Sequence, residues 1–127
     1  MLILMLAALV QDPAPVKGPW VDFSTGANRV HADRASILTQ HDRVRLTLTV
    51  RGPDGARRER DYWFDCAART YSSATWRTLN AAGEVDMRGH SQLRPAYRPV
   101  SGEVESYRAL ACDGDDGGRP TVAELPR

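Results

Sequence analysis

The stretch that most restricts the fold is Arg43–Arg51, RVRLTLTVR. Val44, Leu46, Leu48 and Val50 fall on one side of an extended chain, and Arg45, Thr47 and Thr49 on the other. Unbroken alternation rich in β-branched residues specifies a strand with one buried and one solvated face, the usual arrangement in antiparallel sheets. Gly52-Pro53-Asp54-Gly55 follows, with the composition of a tight turn. The chain then returns as Arg57–Cys66, RRERDYWFDC, with Tyr62, Phe64 and Cys66 on one face and Asp61, Trp63 and Asp65 on the other. The two runs make a hairpin. A lone hairpin is marginally stable in water, so this apolar face requires further strands and a cover.

Neighbouring segments supply both. Trp20–Thr25, Arg29–Ile37, Arg69–Leu79 and Val85–Gly89 read as strands separated by turns, whereas Ser91–Val100 contains two prolines and reads as irregular. The period changes at Ser101–Cys112. Val104, Tyr107 and Ala111, with Leu110 adjacent, form a stripe at helical spacing; Glu103 and Glu105 suit the first turn, and Ser101 is placed to cap it. Asp113–Gly118, DGDDGG, stops the helix. The expected fold class is α+β: an antiparallel sheet of about six strands and one C-terminal helix packed against it.

The length of 127 residues fits one domain. Seventeen basic residues against sixteen acidic ones leave a net charge of +1, which argues against a phosphate-driven nucleic-acid binder. The chain begins MLILMLAALV, a run too short to span a bilayer but suited to the apolar region of an export signal. It lacks a preceding basic residue and a clean small-x-small cleavage site, so a buried N-terminal strand or helix is the competing reading. We divide the chain into a signal and linker at 1–19, a folded domain at 20–112 and a flexible tail at 113–127. Expected localisation is the periplasm or the cell surface, with membrane contact only through export or peripheral association.

Cys66 and Cys112 are the two cysteines. An even count in an exported chain points to a disulfide, and both positions adjoin the expected apolar interface between strand and helix. Other chemistries find less support. A phosphatase loop needs an arginine six positions after its cysteine, and that position is Ser72. Zinc needs four ligands with close spacings. A Cys66 nucleophile would need His31, His41 or His90 as its base, with no local signature for it.

The order and spacing of several pieces resemble one family. They are the opening Trp20, the segment Val30–Ile37 (VHADRASI), the alternating strand, Phe64–Thr70 (FDCAART) and Val100–Glu105 (VSGEVE), which leads into a helix ending in cysteine. Over Trp20–Cys112 the chain is similar to the surface-adhesin protein E-like family of small exported bacterial domains. That resemblance implies a helix tethered by a disulfide to the concave face of its sheet. It also implies host matrix proteins such as vitronectin and laminin, or envelope proteins, as partners. Haem enters as a ligand only through the resemblance, and the residues themselves require no cofactor.

Candidate contact residues are Arg45, Arg69, Trp63, Tyr71 and Trp76, joined more loosely by Arg60 and Arg77, as an outward patch of arginines and aromatics. An ordinary solvated face with arginine stems over the rings is the alternative. His31 and Asp33 share one side of a strand, which an exposed polar face explains without a metal. Asp113, Asp115, Gly118 and Glu124 match part of a calcium-loop pattern, but Gly117 and Pro120 break it. The function expected is a non-enzymatic binding or adhesin-like domain. The alternative is a structural envelope accessory with no ligand, and the third reading is an enzyme using Cys66.

Overall fold

The computed structural model describes residues 19–26, 28–52, 55–90 and 96–125. Segment 1–18, read above as export signal and linker, lies outside the described residues, as does 91–95 of the proline-containing segment. The elements are β1 (Trp20–Asp22), β2 (Arg29–Gln40), β3 (Arg43–Arg51), β4 (Arg57–Asp65), β5 (Thr70–Leu79), β6 (Val85–His90), β7 (Arg98–Pro99), α1 (Val104–Asp113) and β8 (Thr121–Val122). They form one antiparallel sheet in the order β6-β5-β4-β3-β2-β1-β8, with β7 pairing to β5 beside β6.

The described residues thus hold eight strands rather than about six. The two additions are β7 and β8, each of two residues. Neither is long enough to display a period, and each lies in a proline- or glycine-rich segment. Both exist because an edge strand offers them free hydrogen-bonding groups. Val21 and Trp20 pair with Thr121 and Val122, and the Asp22 amide donates to the Pro120 carbonyl at 2.9 Å. The stretch after the helix, expected to trail away as a tail, therefore returns to the sheet through β8.

The hairpin forms as its pattern requires, with Val44 opposite Phe64, Leu46 opposite Tyr62 and Leu48 opposite Arg60. Leu46, Leu48 and Phe64 are buried on one face with Val21 and Ala32, and Tyr107, Leu110 and Ala111 of α1 close over them. Rings bind the layers together. Tyr107 meets Phe23 edge-on at 5.1 Å and Tyr62 at 5.4 Å, while Phe64 and Tyr71 lie 6.3 Å apart. Edge and offset contacts of this kind add to the burial of the rings.

Cys66, in the turn after β4, is bridged to Cys112 in the last turn of α1, with a Cα–Cα distance of 5.8 Å and a sequence separation of 46. The chain-entropy account assigns a loop of that length roughly 4 kcal/mol, an upper figure for real bridges. The helix starts later than Ser101 would place it. Glu103 holds the cap position in a helical conformation with no side-chain capping bond, so Ser101 does not cap. At the other end Gly114 adopts φ 69°, and the amides of Gly114 and Asp115 donate to Leu110 and Ala109, a glycine-closed terminus.

Three register shifts interrupt the ladders, in β2, in β5 and, at Thr78–Leu79, between β5 and β6. In β2 the register jumps between Asp33 and Leu38, so Ala32 and Ile37 both face the helix despite their odd separation. The Ser36 side chain accepts the Thr47 amide, and Arg45 donates to the Ser36 carbonyl at 3.1 and 3.2 Å. These bonds satisfy groups the bulge takes out of the ladder. In β5 the jump lies opposite Asp61–Trp63.

Candidate ligand-binding site

A ten-residue helix is about 15 Å long, whereas a nine-residue strand extends about 30 Å. Helix α1 therefore cannot cover β3 and β4 along their whole length. Its C-terminal end is fastened near Phe64 by the disulfide, so the uncovered portion lies toward Val50 and Arg58. The result is a groove of about 360 Å³ beside the start of the helix. Its floor is Val30, Leu48 and Val50, its aromatic walls are Phe23, Tyr62 and Tyr107, and Arg58, Arg60 and Glu103 stand around it with Thr25 and Asn28.

The two arginines follow from β4 parity. Counting back by twos from Phe64 and Tyr62 gives Arg60 and Arg58, so the strand presents a face that is apolar under the helix and cationic beyond it. Arg60 pairs with Leu48 on one side and Trp76 on the other, and Arg58 pairs with Val50. Neither guanidinium has an ion-pair partner among the described residues. Burial raises the Tyr62 phenol above its ordinary 10.0 and takes that of Tyr107 up to about 12, so both are neutral hydrogen-bonding groups at physiological pH. The groove therefore offers aliphatic contact, ring faces and two cations, which suits an apolar or aromatic group carried next to an acidic one.

The sequence-predicted contact residues are divided between the two faces. Arg45 and Trp63 are cross-strand partners opposite the helix, where Arg45 is already bonded to the Ser36 carbonyl. Tyr71 pairs with Phe64 on the helix side, and Trp76 lies on that side opposite Arg60. Tyr71 and Trp76 share it because the β5 bulge shifts the phase between them. A side chain at Gly89 would run into the Trp76 indole, so the small residue on β6 makes room for that ring. Arg69 lies in the turn before β5 with φ 56° and pairs with Glu105 of α1 at 2.9 Å. Of the wider set, Arg60 lines the groove and Arg77 belongs to a different structure. Arg58 was absent from the set, although the parity of β4 is enough to find it.

That other structure is a charged network on the helix-free face. Asp61 is 8% exposed and accepts from Thr47 Oγ1 at 2.7 Å, Thr75 Oγ1 at 2.9 Å and both terminal nitrogens of Arg77 at 2.9 Å. Arg77 also donates from Nε to Glu59 at 3.0 Å. Burial alone would raise the Asp61 carboxyl, but the bonds from Arg77, Thr47 and Thr75 prevail and hold it below its ordinary 3.8. Asp61, read from sequence as facing outward beside Trp63, is thus a structural anion.

His31 lies on this face with its Nε2 3.8 Å from Asp22 Oδ1, and Asp33 follows at the next position on the same side. In the calcium-like segment, Asp115 accepts the Gly117 amide, and Asp116 accepts the Gly118 amide and pairs with Arg34 at 2.6 Å. No group of three or more His, Cys, Asp or Glu converges among the described residues. Neither cysteine is free. No described helix is long and apolar enough to cross a membrane. No family model, curated protein or solved structure matches the chain.

Proposed function

We propose that the chain is a non-enzymatic binding domain of the bacterial envelope or cell surface. It is exported, oxidised at Cys66 and Cys112, and takes part of its partner into the groove beside α1. The partner is an envelope or host matrix protein, or a small ligand, presenting an apolar or aromatic group beside an acid. The observation that carries this reading is the pair of unpaired cations, Arg58 and Arg60, at the rim of an apolar and aromatic groove. A surface needed only for folding gains little from two neighbouring guanidiniums that form no ion pair, even with Glu103 at the same groove. The disulfide supports export, because such bridges persist in oxidising compartments. The resemblance to surface-adhesin protein E-like domains supplies the first partners to try.

The test is direct binding by oxidised protein. Immobilised vitronectin and laminin, and a spectral titration with haem, are the initial panel. Arg58→Glu together with Arg60→Glu is the matched variant. Saturable binding that falls at least tenfold in this variant is the expected result, corresponding to loss of about 1.4 kcal/mol or more. Binding to none of the panel, or binding indifferent to both charge reversals, would sink the reading. Export has its own test in the native organism. Fractionation should place the protein outside the cytoplasm, and non-reducing mass spectrometry should find the Cys66–Cys112 bridge. Cytoplasmic protein with two free thiols would refute it.

A further inference from the structure

The helix-free face carries a second cationic cluster. Arg29 of β2 sits opposite Arg51 of β3, and Arg51 sits opposite Arg57 of β4. Like charges directly across a ladder repel, so this row of three opposes pairing of the very strands it decorates. None of the three has an ion-pair partner among the described residues. Arg34, Arg43, Arg69, Arg77 and Arg108 all do. Folding therefore accounts for many of the arginines and leaves this row unexplained.

The row encloses a built recess. Arg29, Arg51 and Arg57 surround a chamber of about 10 Å³, room for a single water, lined by Thr49, His31 and Leu125. Thr49 is 2% exposed, and its Oγ1 is buried without a hydrogen-bond partner. A buried hydroxyl left unpaired is costly, and the neighbouring Thr47 shows the usual solution by donating to Asp61. His31 is 5% exposed. Burial lowers its pKa from the ordinary 6.5, Asp22 opposes that, and Arg29 and Arg51 reinforce it, so the ring is neutral at pH 7. The neighbouring carboxylates are already engaged: Asp22 is hydrogen-bonded to the Ser24 amide at 2.8 Å, and Glu59, cross-strand from Thr49, pairs with Arg77 at 3.0 Å. The chamber shares Arg51, Arg57 and Leu125 with a larger cleft of about 530 Å³, whose other walls include Trp20, Ala81 and Glu124.

We propose that the cleft beside this recess binds a small organic oxyanion. The anionic group, a carboxylate or a phosphate ester, lies in the cleft between Arg51 and Arg57, and one water in the chamber bridges it to Thr49 Oγ1. The apolar or aromatic body of the same molecule lies in the cleft against Trp20 and Leu125. A guanidinium pair supplies forked donors to an oxyanion, and the water it fixes in the chamber gives the buried hydroxyl the partner it lacks. Charge repulsion along the Arg29–Arg51–Arg57 row is relieved at the same moment, so binding also stabilises the fold. The site stands on the face away from the groove and does not depend on the reading given for it.

The His31 ring reports on the chamber from within. Its imidazole resonances, assigned by loss in His31→Asn, are followed while benzoate, phenyl phosphate or inorganic phosphate is added to the oxidised full chain. A saturable shift at millimolar or lower concentration is expected for benzoate or phenyl phosphate, and the tighter of the two identifies the head group. Inorganic phosphate should bind more weakly, and equal affinity would overturn the assignment of a body to the cleft. Arg51→Met with Arg57→Met should weaken binding at least tenfold while raising the melting temperature, because a repulsion is removed. Thr49→Val keeps the side-chain shape. It should leave the melting temperature unchanged or higher and weaken the anion several-fold. The proposal fails if no probe shifts His31 saturably, or if the shift survives intact in the arginine double variant.

Discussion

The two faces of this sheet are stabilised by different physics. Under α1 lie Leu46, Phe64 and Leu110, closed by aromatic rings and anchored by a disulfide. The opposite face has no helix over it, yet Thr47, Thr49, Asp61 and Ser72 are as buried as many core residues. There the cover is made of long charged side chains, with Arg77 reaching across Asp61 to Glu59. The helix side rests on apolar area and should respond to cavities and reductant. The other side rests on paired charge and should respond to protonation and to loss of a single partner. A buried ion pair contributes little when compared with an apolar replacement, but its half-removal is severe, because the surviving charge has no solvent.

Cavity creation at Phe64 should have the largest effect. Its side chain is fully buried, and Phe64→Ala should cost about 3–5 kcal/mol in urea denaturation. A loss near 1 kcal/mol would mean that the helix does not hold the core closed. Arg77→Met comes next, at about 2–4 kcal/mol, because Asp61 is left charged and buried. Pairing it with Asp61→Leu should restore most of that loss, and failure of the double variant to recover would show that the network itself, not its imbalance, is what stabilises this face. Replacing both cysteines by Ala should cost about 2–4 kcal/mol and leave the Asp61–Arg77 coupling energy unchanged. A changed coupling would tie the two faces together.

Acid provides the smallest and most selective probe. The folded-state pKa of Asp61 is depressed. Its contribution is therefore complete above its unfolded pKa of about 3.9 and is lost as pH falls through the lower folded value. Denaturant midpoints measured from neutral pH down to about pH 2 should drop most steeply below pH 4, and Asp61→Asn should flatten that drop. An equal acid response in the variant would place the sensitive carboxylate elsewhere. On the helix side, Glu105→Gln should lower the neutral-pH midpoint only slightly, since Glu105 and Arg69 are exposed and the buried Arg108 keeps its pair with Asp113.

Much of this architecture is readable in the residue order. The hairpin of β3 and β4 is explicit in two alternating runs around a turn, and α1 in the stripe of Val104, Tyr107, Leu110 and Ala111. The bridge follows from two cysteines placed at the strand–helix interface. The contact patch was harder to read because it was assembled across bulges. Tyr71 and Trp76 belong to one face only after the phase shift in β5, and nothing in their local sequence marks it. Arg60 was grouped with Trp63, although the parity of β4 sets it beside Tyr62. The strands β7 and β8 left no periodic trace, because two residues cannot show one.

By itself the sequence determined what depends on neighbours along the chain: which residues alternate, where the period turns helical, and which cysteines can meet. Tertiary structure alone decided how far a short helix reaches over longer strands, and so which end of the helix-bearing face stays open around Arg58 and Arg60. It also decided which arginines find carboxylates, as Arg77 does, and which stand in an unpaired row, as Arg29, Arg51 and Arg57 do. The reason is one of range. Periodicity is set by the geometry of adjacent residues, whereas coverage and charge pairing depend on distances between segments far apart in the chain.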